Sequence, residues 1–251
     1  MKAIILGSGT STGVPMVGCS CRVCRSTDPR DQRTRTSLLI RTATGNNILI
    51  DTCTDLRRQM LREGIDALDA VLFTHTHADH VNGIDDLRGF HYIHKRLIPC
   101  YGTAETIHHL QSTFPYIFKG LERAGYAPLL DAQIIDLPFE LFGCRITPVP
   151  LLHGPIPATG YRINDLAYLT DCSLIPDASI PLLQGVDTLI IDALRYTPHP
   201  SHFNITSALE LIGRLRPRRA LLTHLTHEVA HRDGARLPEG VELAYDGMLL
   251  E

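Results

Sequence analysis

Apolar residues in this chain come in short unbroken runs, with turn residues and stretches of helical spacing between them. Ala3–Leu6, Leu38–Ile40 and Ile48–Ile50 read as early strands. Thr44-Gly45-Asn46-Asn47, between the last two, has the composition of a hairpin turn. Asp55–Glu63 has helical composition and stops at Gly64. Ala70–Phe73 reads as a buried strand that ends on a run of histidines. The pattern predicts a second helix from near His80 and a third over Ala104–Thr113. Ile146–Val149, Ala167–Leu169 and Thr188–Ile191 read as later strands. Ser207-Ala208-Leu209-Glu210 has the capping-box pattern, so a helix is expected to begin there and run to about Leu215, ahead of Pro217. Ala220–Leu222 is the strand after it. The stretch Phe114–Pro138, with Pro115, Gly120, Gly125 and Pro128, is the least regular part. It is expected to be a loop, either a lid over a site or a surface excursion without a role.

The 251 residues are enough for one large α/β domain with a full core, and a single domain over 1–251 is expected. A composition of 44% hydrophobic and 20% charged residues is ordinary for a globular protein. No apolar run approaches the roughly 18 residues of a membrane span, so no membrane partner is expected. The net charge of −3 provides no basic field to recruit nucleic acid, which is therefore not an expected partner. Met1–Leu6 runs straight into Gly7-Ser8-Gly9, too short for a signal-peptide core, and a cytoplasmic location is expected. A homodimer is compatible with the sequence. The seven cysteines are an odd number, and a reducing cytosol disfavours a disulfide framework. Cys53, Cys100, Cys144 and Cys172 are scattered among apolar residues and read as buried small hydrophobes.

Phe73-Thr74-His75-Thr76-His77-Ala78-Asp79-His80 carries the strongest chemical signal. In extended backbone, residues i and i+2 point the same way, so His75 and His77 can share one metal. After a turn, Asp79 and His80 can face a second. Imidazole with carboxylate suits zinc, manganese or iron. Further candidates also follow apolar runs: His153 after Thr147–Leu152, Asp171 after Ala167–Thr170, and His224 after Ala220–Thr223. Each is placed at the rim of a sheet.

Cys19-Ser20-Cys21-Arg22-Val23-Cys24 puts three thiols within six residues. Three thiolates need a fourth ligand to complete a tetrahedral zinc shell, and His227, three residues after His224, is the best candidate. A closed shell of this kind is structural, and it would tie the loop after the first strand to the segment carrying His224.

The run His75-Thr76-His77-Ala78-Asp79-His80 resembles the HxHxDH signature of the metallo-β-lactamase superfamily, with a later His, Asp and His in the family's order. Nearly the whole chain, from Gly7-Ser8-Gly9-Thr10-Ser11-Thr12-Gly13-Val14-Pro15 to Tyr245-Asp246-Gly247-Met248, is similar to the PhnP-type cyclic phosphodiesterase branch. The resemblance implies an αββα sandwich, with two central mixed β-sheets flanked by helices. It implies that His75, His77 and His153 hold one ion, that Asp79, His80 and His224 hold another, and that Asp171 bridges them. Both would be divalent, zinc or manganese, and the cysteine site would hold one structural zinc. Asp51, in Ile48-Leu49-Ile50-Asp51-Thr52, matches the family's first motif and would order the site. His202, in Ser201-His202-Phe203-Asn204, matches the additional histidine of that branch and is assigned as general acid. His199 is a neighbour open to confusion with it.

Two ions about 3.5–4 Å apart can bridge a hydroxide and lower the pKa of its parent water to near 7. The expected reaction is hydrolysis of a small cyclic or nucleotide-like phosphodiester, with Asp79 and His202 as catalytic residues. The alternatives are a tRNA 3′-end-processing endonuclease, a non-catalytic PqqB-like cofactor-pathway protein, and glyoxalase-type or lactonase activity. The Gly7–Gly13 loop lacks the spacing of a nucleotide fingerprint and reads as a tight loop close to the metals. His91, His94, His108, His109 and His231 read as solvated. Arg30, Arg33 and Arg35, and Arg216, Arg218 and Arg219, read as ordinary solvated faces.

Overall fold

In the structure, a computed structural model that describes residues 1–119 and 129–251, two seven-stranded sheets face each other. The first contains β1 (Lys2–Gly7), β2 (Ser37–Arg41), β3 (Asn47–Ile50), β4 (Ala70–Leu72), β5 (Ile98–Gly102) and β6 (Leu130–Ile134), side by side in chain order. The second contains β7 (Phe139–Leu141), β8 (Cys144–His153), β9 (Ile156–Ile163), β10 (Leu166–Leu169), β11 (Thr188–Asp192), β12 (Arg219–Thr223) and β13 (Val241–Leu243). The last strand, β14 (Met248–Leu250), returns to the first sheet and pairs antiparallel with β1. Both sheets are mixed. The first is antiparallel from β1 to β3 and parallel from β3 to β6. The second is antiparallel from β7 to β10 and parallel from β10 to β13.

The pleat assigns alternate strand residues to different layers. Ala3, Ile5, Leu38, Ile40, Ile48 and Ile50 point inward and meet Ile146, Tyr161, Ile163, Tyr168, Ile190 and Leu221 of the other sheet. Ile4, Leu6, Leu39, Leu49 and Val71 point outward, where α1 (Leu56–Arg62), α4 (Ala104–Thr113) and α5 (Pro115–Lys119) cover them with Leu56, Met60, Ile107, Leu110 and Ile117. On the far side α6 (Ile205–Leu215) places Ala208, Leu211 and Leu215 over Val149, Leu169, Leu189, Ile191 and Leu222. The result is the αββα sandwich. Because both faces of each central strand are buried, the strands read as continuous apolar runs and not as alternation.

Several local expectations are met closely and others are corrected. α4 covers Ala104–Thr113 as expected, with Thr103 accepting from the Thr106 N–H at its start. Cys53, Cys100, Cys144 and Cys172 are all buried. The helix expected near His80 is two pieces: α2 (Ala78–Val81), which contains Asp79 and His80, and α3 (Arg88–His94) after a tight turn. The cap of α6 lies three residues ahead of Ser207, the start of the apparent capping box. Asn204 is the cap, its side-chain oxygen accepting from the Ser207 N–H at 2.8 Å, and Arg216 ends the helix in a left-handed conformation. The Phe114–Pro138 stretch is irregular only in part where it is described: α5 and β6 lie in it, residues 135–138 form neither helix nor strand, and residues 120–128 lie outside the described part. Arg33 is not a solvated arginine. It is 1% exposed, and its guanidinium donates to the carbonyls of Thr226 and Val229 and to Asp31. Arg30, Arg35, Arg218 and Arg219 are paired with Asp28, Asp55, Asp187 and Glu242. His231 is half-buried against the Tyr245 ring.

Candidate metal centre

Parallel strands deliver their polar C-terminal residues to one rim of the sandwich. Asp51 follows β3, His75 and His77 follow β4, and α2 then presents Asp79 and His80. From the opposite sheet, His153 ends β8, Asp171 follows β10 and His224 follows β12. Asp51, Asp171 and His224 all have positive φ, at 64°, 51° and 59°. For residues other than glycine this left-handed conformation is uncommon and costly, and it persists only where the surroundings impose it. The two sheets are locked at this rim. The Tyr161 hydroxyl donates to the Phe73 carbonyl at 2.7 Å, and the Thr159 N–H donates to the Thr74 carbonyl at 2.9 Å.

Asp51 organises the motif from beneath. One of its oxygens accepts from the Thr74 N–H at 2.8 Å; the other accepts from the Thr74 hydroxyl and from His80 Nδ1, both at 2.7 Å. His80 is therefore left with Nε2 facing the centre. His153 is held in the same way, its Nδ1 donating to the Ser201 carbonyl at 2.6 Å. His75 Nε2 lies 3.0 Å from His77 Nδ1. Asp171 is central: its carboxylate is 3.1 Å from His80 Nε2, 3.4 Å from His224 Nε2 and 3.9 Å from His153 Nε2. Asp79 lies 3.4 Å from His80 Nε2 and 3.9 Å from His224 Nε2.

The arrangement brings together the two ligand sets anticipated above. His75, His77 and His153 present ligand atoms mutually within 4.8 Å, and so do Asp79, His80 and His224. His75, His80 and Asp171 form a third such group that overlaps both sets. Three features of the structure fit divalent cations here. The buried nitrogens His80 Nε2, His224 Nδ1 and His224 Nε2 have no hydrogen-bond partner among the described residues. Two of the rings are anchored through their other nitrogen, by Asp51 and by the Ser201 carbonyl, as metal-binding imidazoles are. The donors mix imidazole and carboxylate.

Protonation is displaced in the sense such a crowded site requires. Burial disfavours a charged His80, but the nearby Asp171 and Asp51 overcome it and hold its pKa well above the usual imidazole value. Burial likewise opposes charge on His224, and Asp171 and Asp79 raise it to about 9. His75 is pushed well down by burial and by the charge on His80. Burial would raise Asp79 and Asp171, yet their histidine neighbours hold both below the usual carboxylate range. Protons on His80 and His224 occupy positions that cations would take, so ion binding must release them.

His202 sits beside this cluster, 4.5 Å from the His153 ring and 4.8 Å from the His224 ring. Its Nδ1 is 2.7 Å from Asp192 Oδ2, a carboxylate with no exposed surface that also accepts from the Cys172 N–H. No motif in the sequence marks Asp192, although it ends the apolar run Thr188–Ile191 just as His224 follows its own. His153, Asp171 and His202 form a further group of mutually close ligand atoms. His199 lies 5.1 Å from the His202 ring, and its Nδ1 is engaged by Ser201.

The structure also brings the cysteine cluster together. Cys19, Cys21, Cys24 and His227 present ligand atoms mutually within 4.8 Å, with His227 Nδ1 3.3 Å from both Cys19 Sγ and Cys21 Sγ. The Cys24 backbone N–H and His227 bring the Cys21 thiol down to about 6, while burial pushes Cys24 up to about 11. The neighbouring glycine-rich loop is wedged between two segments. Gly9 bridges to both Arg35 and Leu225, and a Cβ there would lie 2.9 Å from the Arg33 carbonyl oxygen, so close approach demands glycine.

Residues 46–225 match the model of the beta-lactamase superfamily domain. An octanoyltransferase from Porphyromonas gingivalis is 43% identical over 253 residues, 99% of this chain and 51% of that protein, so the chain spans about half of that relative's length. The crystal structure of a diphosphatase from the PhnP family superposes with a TM-score of 0.92 at 40% identity, covering 100% of this chain and 97% of that one. Zinc-bound PqqB from Methylobacterium extorquens superposes with a TM-score of 0.83, covering 100% of both chains, and at 18% identity that likeness shows the shared fold alone. With the family domain spanning the rim residues from Asp51 to His224, the chain belongs to the metallo-β-lactamase superfamily, and within it resembles the PhnP family.

Proposed function

We propose that this chain is a metal-dependent phosphodiesterase that cleaves a small cyclic or nucleotide-like diester. The observation that carries the reading is His202, a histidine outside the two ligand sets and fixed at 2.7 Å to the buried Asp192. A diester releases an alkoxide, which needs a proton, whereas a thioester releases a thiolate, which makes weaker demands on an acid. His202 Nδ1–H donates a hydrogen bond to Asp192 Oδ2. That leaves Nε2 as the atom that delivers a proton to the leaving oxygen.

His75, His77 and His153 would hold one divalent cation and Asp79, His80 and His224 another, with Asp171 touching both sets. Cations bound there supply Lewis acidity and an activated water nucleophile. Asp51 fixes His80 and Thr74, and the Ser201 carbonyl fixes His153, so the ligands are oriented before any cation arrives. Cys19, Cys21, Cys24 and His227 would hold a structural zinc. Hydrolysis of a disubstituted diphosphate is a second reading, supported by the diphosphatase that is 40% identical over the whole chain.

The test is a substrate panel of phosphodiesters, diphosphates, phosphomonoesters, thioesters and lactones, assayed with Mn²⁺, Zn²⁺ and Ni²⁺. The reading requires turnover of a chromogenic phosphodiester well above that of the matching monoester. Robust thioester or lactone hydrolysis without diesterase activity overturns it.

A further inference from the structure

Pro198-His199-Pro200 lies on the segment between β11 and α6, just ahead of His202. The reaction as described uses His202 and leaves His199 without a role. A residue before proline is confined to extended backbone, and each proline fixes its own φ, so the chain around His199 has little freedom. The base of the segment is pinned as well. The Leu194 N–H donates to the Phe203 carbonyl at 2.9 Å, the Phe203 N–H to the Cys172 carbonyl at 2.6 Å, and the Ile205 N–H to the Arg195 carbonyl at 3.0 Å.

Hydrogen bonds set the two histidines of this segment in opposite states. His202 Nδ1 donates to Asp192 at 2.7 Å. His199 Nδ1 does the reverse: it accepts from the Ser201 N–H at 3.3 Å and lies 3.2 Å from the Ser201 hydroxyl. A backbone amide can only donate, so Nδ1 carries no proton and the ring keeps its hydrogen on Nε2. Burial, then the charges of His202 and Arg195, lowers the His199 pKa below the ordinary imidazole value, which favours this neutral ring. The Nε2–H has no hydrogen-bond partner among the described residues, and the side chain is half-buried. The same Ser201 holds His153 through its carbonyl. The His199 and His202 rings are 5.1 Å apart, and the His202 ring is 4.5 Å from that of His153 and 4.8 Å from that of His224. An unsatisfied N–H is thus fixed beside the general acid. An imidazole held neutral acts as a hydrogen-bond donor to developing negative charge, not as a proton-transfer acid.

We propose that His199 is a second catalytic residue, whose Nε2–H donates to a non-bridging oxygen of the scissile phosphoryl group while His202 protonates the leaving oxygen. The proposal rests on the phosphodiesterase reading and deepens it. The leaving oxygen and the non-bridging oxygens belong to one phosphoryl group, so neighbouring rings can serve them together. No bond forms or breaks at His199. Its donor is oriented in advance and stabilises the charge that develops on the phosphoryl oxygen.

The test uses the 4-nitrophenyl ester of thymidine 5′-phosphate and its two phosphorothioate diastereomers, on the metal-loaded protein. Nitrophenolate needs little protonation, so a proton-transfer role for His199 would leave these rates almost untouched. His199→Leu should lower kcat for the oxygen ester by about 10²-fold, as when one donor to a developing oxyanion is lost. Sulfur is a weak acceptor, so the diastereomer with sulfur facing His199 should lose only about tenfold or less. The other diastereomer should lose as much as the oxygen ester. His199→Gln, which carries an N–H near the Nε2 position, should recover most of the rate. Unchanged kcat in His199→Leu, a fall in its bound metal, or an equal loss with all three esters overturns the proposal. If wild-type protein hydrolyses none of them, the phosphodiesterase reading fails, and calorimetric titration of the metal-loaded protein with inorganic phosphate decides His199 separately. Affinity at least about tenfold weaker in His199→Leu upholds the donor. Equal affinity, or no binding by wild-type protein, overturns it.

Discussion

His202 Nδ1 and Asp192 Oδ2 stand 2.7 Å apart, and the carboxylate is wholly buried. Asp192 reaches no candidate ligand as closely: among the described residues its other oxygen has no hydrogen-bond partner, and it lies 3.8 Å from His224 Nδ1. Asp192→Asn keeps the shape and removes the charge. Turnover of an alkyl-leaving diester should fall about 10–100-fold, as when the partner of a site imidazole is lost, while metal content stays at the wild-type level. Elemental analysis run beside the kinetics checks this, and a simultaneous loss of metal would place Asp192 among the determinants of ion binding instead.

His202→Ala should lower turnover of substrates with poor leaving groups by about 10²–10⁴-fold. With nitrophenolate, which needs little protonation, the deficit should shrink to about tenfold or less. A leaving-group series read as log kcat against leaving-group pKa checks it. An equal deficit across the series, or a fall in bound metal, would favour His202 as a ligand with His153 and Asp171.

Asp171→Ala should reduce occupancy of both active-site ions, because its carboxylate lies within 4 Å of histidines from both sets. Metal analysis after dialysis checks it, and full occupancy would remove Asp171 from the shared position.

Mild chelation should strip the histidine–carboxylate centre first and leave about one zinc per chain, since thiolates hold zinc more tightly. Added Mn²⁺ should restore activity without displacing that zinc. Cys21→Ser should release it and cost stability on the order of several kcal/mol, read from chemical denaturation. Unchanged zinc content and melting temperature in that variant would dismiss the cysteine site.

Arg33→Met should destabilise the metal-loaded protein by about 3–5 kcal/mol, because Asp31 is left without its buried partner and two carbonyls lose their donor. The urea midpoint reads it directly. Since Thr226 and Val229 flank His227, zinc should also be released more readily from this variant.

The legible part of the site was the part written locally. His75, His77, Asp79 and His80 fall within six residues, and His153, Asp171 and His224 each close an apolar run. Asp192 obeys that same rule after Leu189-Ile190-Ile191, but nothing local in the sequence ties it to His202, ten residues on. Arg33 is hidden in the sequence for a different reason. Its acceptors lie 193 and 196 residues away, and no local pattern marks a buried guanidinium. The start of α6 was misplaced because Asn204 and Ser207 are both good caps. The structure selects Asn204, whose side chain accepts from both the N–H and the hydroxyl of Ser207.

Half of the rim belongs to each sheet: Asp51, His75, His77, Asp79 and His80 on one side, His153, Asp171, Asp192, His202 and His224 on the other. Ions held from both sides would act as a latch across the seam of the sandwich. Binding only the closed layers, they would stabilise closure by mass action. Their removal would leave carboxylates and rings crowded along one edge, and the seam should loosen there first. Amide exchange would show it as faster exchange at Thr74 and Thr159, whose main-chain bond stitches that edge, well before the strands in the middle of the sheets open.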